Sequence, residues 1–197
     1  MAALAQLRGA AGLADTTKSI AAHAAFSWAI STFYMKNTLF PLLHSIPSPW
    51  GQLVLAATPE GLCGVWFEGQ KHLPAMAHWP TGHSAFTTQA AIELREFFAQ
   101  QRRSFTVPLD LRAGTAFQQS VWRALLPIGY GQHSSYGAVA QRIGNPAAVR
   151  AVGAAVGRNP ISIIVPCHRV LGASGALTGY AGGLERKEGL LRLEGVL

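Results

Sequence analysis

Towards its C-terminal end the chain reads Ile161-Ser162-Ile163-Ile164-Val165-Pro166-Cys167-His168-Arg169-Val170. A cysteine followed at once by an imidazole and a guanidinium could serve as a nucleophile. A neighbouring base and cation favour the thiolate over a thiol whose unperturbed pKa is about 8.5. The competing reading is a buried cysteine beside a chance histidine. Adjacency does not decide between them, because neighbouring side chains on a strand point to opposite faces. The second cysteine, Cys63, shares an alternating face with Val65 and Phe67 and reads as a small buried hydrophobe. Two cysteines are too few for a disulfide framework and, without close-spaced histidines, for a structural zinc site. A reducing, cytoplasmic setting without metal fits this cysteine usage.

The elements that must position these groups can be read upstream. The continuous apolar run over 161–165 predicts a buried strand that delivers Cys167. Before it, Thr115-Ala116-Phe117-Gln118 is a capping box, and Phe117, Val121 and Leu125 form the stripe of a helix stopped by Pro127. A second helix is predicted over 136–143, capped by Ser134 or Ser135 and closed by Gly144. A third starts with Asn145 as N-cap and Pro146 as first helical residue and ends at Val156, before Gly157. The short Gly144-Asn145 connection makes the last two a helix-turn-helix candidate. Val149, Val152 and Val156 would share its inner side. Ala147, Arg150, Ala151 and Ala154 would form the other, a face of small residues around one guanidinium. Such a face could lie against a nucleic acid backbone or pack on another helix.

Further upstream, apolar runs at 40–46, 53–58 and 62–67, separated by Pro47-Ser48-Pro49 and Pro59-Glu60-Gly61, predict a small antiparallel meander. A helix capped by Thr87 or Thr88 runs through Gln101, with Ala91, Leu94 and Phe98 on one face. Residues 107–114 read as a linker. Residues 1–34, rich in alanine, match neither a signal nor a transit peptide and read as an appendage.

The 197 residues are 49% hydrophobic and 13% charged, which excludes disorder as the main state. No uncharged apolar run reaches 18 residues, so no membrane-spanning helix is expected. The formal net charge is +7. Between Thr115 and Leu184 lie five arginines and no Asp or Glu, the footprint of a surface that meets phosphate, or simply of a basic protein.

The segments NPISIIVPCHRV and TGYAGGLERKEGLLRLEG together resemble the O6-alkylguanine-DNA alkyltransferases, over residues 115–195. The resemblance implies that Cys167 accepts an alkyl group from O6-alkylguanine, and possibly O4-alkylthymine, in an irreversible, single-turnover DNA repair. It makes His168 the base acting through a water, with Glu194 orienting its ring and Asn159 bracing the turn before the cysteine. Tyr136 would lie against phosphate and the flipped guanine, and Arg150 would fill the vacated stack. Ala147, Ala151, Ala154, Ser135 and Arg169 would belong to the DNA-binding surface, and Val170, Tyr180, Ala181 and Gly182 to the alkyl pocket. Some relatives carry Ser where this chain has Ala181, so only a backbone contact is inherited there.

The implied fold is a ribonuclease H-like α/β domain, a small antiparallel sheet plus helix over 35–111, followed by an α-helical winged helix-turn-helix domain over 112–197. Residues 1–34 would be a dispensable extension. The implied partner is double-stranded DNA containing O6-alkylguanine, entered through the minor groove by a monomer, with no cofactor, metal or membrane. Two other classes compete. A winged-helix regulator would not need PCHRV, and a Cys-His hydrolase would not need an acid-free arginine surface.

Overall fold

The computed structural model describes residues 40–197, so the expected extension at 1–34 lies outside the described residues. Alternation of apolar side chains builds an antiparallel sheet in the order β1 (Leu42–Ser48), β2 (Gly51–Thr58), β3 (Gly61–Phe67). The first strand starts and ends two residues later than its apolar run suggests. Pro47 and Ser48 pair with Gln52 and Gly51, which moves the hairpin turn to Pro49-Trp50.

Leu53, Leu55, Val65 and Phe67 are buried on one face against Ala90, Leu94 and Phe97 of helix α1 (Ala85–Phe98). Full burial of each such aliphatic or aromatic side chain stabilises by about 1.5–3 kcal/mol. The cap of α1 is Ser84 and not a threonine. Thr87 occupies the third helical position and returns the capping-box bond to the Ser84 backbone.

Cys63 is buried, as expected, but on the opposite face from Val65. The β2–β3 register shifts at Ala56/Ala57, which turns Cys63 towards Ala56, Trp66 and Trp79. The segment read as a linker also extends the sheet edge, since Leu109 bridges Leu62 in parallel and Asp110 binds Thr58 and Arg112.

The second part is helical: α2 (Ala116–Leu125), α3 (Tyr136–Arg142), α4 (Val149–Val156) and α5 (Leu184–Leu193). The capping box of Thr115 with Gln118 forms as read, and Ser135 caps α3 by accepting from the Ala138 N–H at 3.1 Å. Gly144 turns the chain with φ of +72°, a conformation open to glycine at little cost. Asn145 makes no side-chain cap. Pro146–Ala148 is instead a 3-10 turn, and α4 proper starts at Val149. Val149 is 39% exposed, so the inner side of α4 consists of Val152, Ala155 and Val156. The later helix start rotates Val149 outwards. Trp122 of α2 donates from Nε1 to the Ala155 carbonyl at 2.8 Å, and Arg142 of α3 donates to the Ala124 carbonyl at 2.7 Å.

A short parallel pairing of β4 (Ser134–Ser135) with β5 (Val170–Leu171) ties the start of α3 to the chain just beyond Cys167. One apolar core runs through both parts, from Leu55 and Phe97 to Trp122, Val152, Ile161 and Leu190. Among the described residues, no helix is long and apolar enough to cross a membrane.

Candidate active site

The run 161–165 is a buried turn and not a strand. Only Ile161 pairs with the sheet, by a parallel bridge to Val65, with Ser162 N–H donating to the Val65 carbonyl at 2.9 Å. The chain then folds back, with Val165 N–H on the Ile161 carbonyl and Ile163 at φ of +73°. A left-handed β-branched residue is strained and persists only where the surroundings enforce it. The apolar composition misled because turns are ordinarily solvated and polar, whereas this one is enclosed.

An enclosed turn must satisfy its own backbone groups, and Asn159 does so. Its Oδ1 accepts from Ile161 N–H at 3.0 Å, and its Nδ2 donates to the carbonyls of Val165 at 2.8 Å and Ile161 at 3.2 Å. The same Nδ2 lies 2.9 Å from Cys167 Sγ.

Cys167, His168 and Arg169 form one turn of 3-10 helix, in which successive side chains diverge by about 120°. All three are buried. His168 Nε2 and Glu194 Oε1 are 2.9 Å apart. Nε2–H donating to the carboxylate leaves Nδ1 as the basic nitrogen, and Nδ1 is buried with no protein hydrogen-bond partner. Arg169 grips the same carboxylate in bidentate fashion, Nε to Oε2 at 2.9 Å and Nη2 to Oε1 at 2.8 Å, and also donates to the Ile128 carbonyl. Arg169 is therefore not part of a DNA-facing surface. It is 5% exposed, and its charge is matched inside by Glu194.

This arrangement sets the resting protonation. Burial pushes the Cys167 thiol up, and the Asn159 hydrogen bond and the Lys187 charge only partly counter it. Burial also holds His168 below the usual imidazole range against the pull of Glu194. The expectation that adjacent His and Arg make a thiolate does not hold at rest. Desolvation outweighs them, because the Arg169 charge is already taken by Glu194. Burial alone would raise the Glu194 carboxyl, but hydrogen bonds from His168 and Arg169 more than offset this and hold it at about 2.

Lys187 was not singled out from the sequence. It is fully buried on α5, with Nζ on the Val170 carbonyl at 2.6 Å and the Thr178 carbonyl at 2.9 Å. Burial lowers it to about 8, against the opposing influence of Cys167. The available signal was spacing: Lys187, Leu190, Leu191 and Glu194 share one helical face, three of them with obvious reasons to be inside.

Of the remaining expected residues, Val170 and Tyr180 are buried. Gly182 fits tightly, since a Cβ there would come 2.7 Å from the Tyr180 ring and 3.1 Å from Phe67. The Tyr180 hydroxyl is enclosed, and burial raises it well above its ordinary value. Tyr136 meets the Thr178 hydroxyl at 3.1 Å. Tyr136, Tyr180 and Ala181 all border one open cavity of about 390 Å³. Ala147 in the 3-10 turn and Arg150, Ala151 and Ala154 on α4 are all exposed. Among the described residues, no three His, Cys, Asp or Glu side chains gather as a metal site.

Residues 116–196 match the family model described as the 6-O-methylguanine DNA methyltransferase DNA-binding domain, and residues 42–111 match that family's ribonuclease-like domain. The Methylated-DNA--protein-cysteine methyltransferase of Mycobacterium tuberculosis is 52% identical over 151 residues, covering 77% of this chain and 90% of the relative. That of Methanosarcina acetivorans is 51% identical over 149 residues, 75% of this chain and 94% of the relative. A crystal structure of Mycobacterium tuberculosis OGT in complex with DNA superposes with a TM-score of 0.72 at 51% identity, covering 77% of this chain and 91% of the other. With both of its domains matched and half of the aligned residues identical to those of these relatives, the chain belongs to the 6-O-methylguanine DNA methyltransferase family.

Proposed function

We infer that this protein repairs DNA by transferring the alkyl group of O6-alkylguanine to its own Cys167. The observation that carries the reading is the buried Asn159–Cys167 and His168–Glu194 arrangement, with Tyr180, which lies within electrostatic reach of Cys167, on the border of an open cavity. In-line displacement at the O-alkyl carbon forms an S–C bond, breaks the C–O bond and releases guanine. A thiolate is a good nucleophile for this without metal or cofactor. The thioether has no easy route back, so each molecule acts once.

His168 is the base. Glu194 holds its Nε2–H, leaving Nδ1 to take the thiol proton through a bridging water. Asn159 supports the sulfur as charge develops, and Lys187 contributes a fixed positive potential. A neutral resting thiol is a sensible counterpart to a consumable nucleophile, since it stays unreactive until substrate is in place.

The O6 carbon is inaccessible within a duplex, so the nucleotide is turned out of the stack. The segment carrying Ala147, Ala151 and Ala154 is smooth enough to enter the minor groove, and Arg150 fills the gap. α3, α4 and the β4–β5 pairing act as a winged helix-turn-helix, and Tyr136 donates to the departing base. Val170, Tyr180, Ala181 and Gly182 wall the pocket. Ser135 caps α3 and belongs to the DNA-binding surface. The protein works as a cytoplasmic monomer, with 35–111 and 112–197 as its two units and 1–34 dispensable. Titration with duplex containing one O6-methylguanine tests the reading: methyl removal stops at one equivalent per protein. Continued turnover, or no removal, contradicts it.

A further inference from the structure

The cavity beside Tyr136 and Tyr180 is not closed by the C-terminal part alone. Lys71 and His72, from the turn that follows β3, line it together with Arg158, Tyr180 and Ala181. The turn is held there by the Lys71 backbone N–H, which donates to the Ala181 carbonyl at 3.0 Å. It also turns sharply. His72 is a non-glycine residue at φ of +63°, a conformation that clusters at ligand-binding and catalytic sites. The lining of the cavity contains Lys71, His72 and Arg158 and no carboxylate. Lys71 is exposed, and among the described residues no ion pair involves it. A cleft edged by cations of one sign attracts an anion. The anion that must come closest to a pocket receiving a flipped nucleotide is the phosphate flanking that nucleotide.

We propose that Lys71, presented by the left-handed turn at His72, is a DNA-phosphate contact supplied by the N-terminal part, at the mouth of the cleft that receives the flipped base. This rests on the function inferred above. It extends the DNA-contacting surface beyond the helical part, from which all the sequence-expected contacts come. It also gives a role to a turn whose backbone is already fastened to the pocket wall. A lysine acts here as a point charge, so it strengthens binding without reading sequence.

The test uses the full chain, with Lys71→Ala and Lys71→Arg, on duplex containing O6-methylguanine and on free O6-benzylguanine. Lys71→Ala is expected to weaken duplex binding several-fold and to reduce the slope of log affinity against log salt by about 1. Its rate with free O6-benzylguanine should equal that of the wild type, and Lys71→Arg should restore both binding and slope. Unchanged duplex affinity and slope in Lys71→Ala would overturn the proposal while leaving alkyl transfer intact. An equal loss on duplex and on free base would also overturn it, because Lys71 would then merely position Ala181. If wild-type protein removed no methyl from the duplex, the underlying function would fall instead.

Discussion

Asn159 places one side-chain amide on both the backbone of a buried turn and the sulfur of Cys167, 2.9 Å away. The residue that satisfies the turn's backbone is thus also the one whose amide lies against the thiol. Removing a hydrogen-bond partner from buried groups costs about 1–3 kcal/mol. Asn159→Ala should therefore lower the melting temperature by several degrees, at about 2–4 °C per kcal/mol for a chain of this size. It should also shift the pH profile of the reaction with free O6-benzylguanine to higher pH, since the thiol loses a contact favouring its ionised form. A melting change with no shift of the profile would make Asn159 purely structural.

Glu194 is paired with both His168 and Arg169 and titrates at about 2 in the folded protein, below its ordinary 4.5. A carboxyl depressed in this way stabilises the fold fully above pH 4.5 and loses that contribution as pH falls through about 2. Glu194→Gln should flatten stability across this acid window. At neutral pH it should cost about 3–5 kcal/mol, because Arg169 is left buried without its counter-charge. Chemical denaturation between pH 2 and 7 measures both effects. An acid dependence identical to that of the wild type would contradict the pairing.

Lys187 titrates at about 8 when folded, against 10.5 ordinarily, because burial disfavours its ammonium form. Between these values the unfolded chain holds a proton that the folded one has released. This contribution to stability is complete above pH 10.5 and lost as pH falls through 8. In a Cys167→Ala background, which removes the thiol titration, stability should rise across that window more steeply with Lys187 than with Lys187→Met. Parallel curves would refute the assignment. With Cys167 present, Lys187→Met should slow the reaction with free O6-benzylguanine at pH 7.

Arg150 sits on an exposed face and, on this account, holds the duplex open without touching the reacting atoms. Arg150→Ala should slow methyl removal from duplex far more than reaction with free O6-benzylguanine. Equal losses would indicate a folding defect or a direct chemical role.

Much of this was legible in the sequence because the local rules and the tertiary structure agree. The Thr115–Gln118 capping box, the Ser135 cap and the glycine at 144 each form where side-chain chemistry requires them. Asn159 and Cys167 form one hydrogen-bonded pair and His168 and Glu194 another, although the four span residues 159 to 194. What failed did so for tertiary reasons. The run 161–165 looks like a strand because its turn is buried, and only the placement of Asn159 makes a buried turn affordable. Arg169 looks like a phosphate ligand until Glu194 is found beside it, 25 residues away in sequence. Lys187 was invisible because a lysine on a helix is ordinarily read as solvent-facing, and its partners are carbonyls that sequence does not advertise.

In the proposed reaction the alkyl group ends on one particular sulfur. The direct measurement is peptide mass spectrometry after incubation with duplex containing O6-methylguanine, on the wild type and on Cys167→Ala. One added methyl is expected, on the peptide containing Cys167 and approaching one per protein, with the lesion persisting and no methyl added in Cys167→Ala. Methyl on Cys63 or elsewhere, or lesion removal by Cys167→Ala at the wild-type rate, would contradict it.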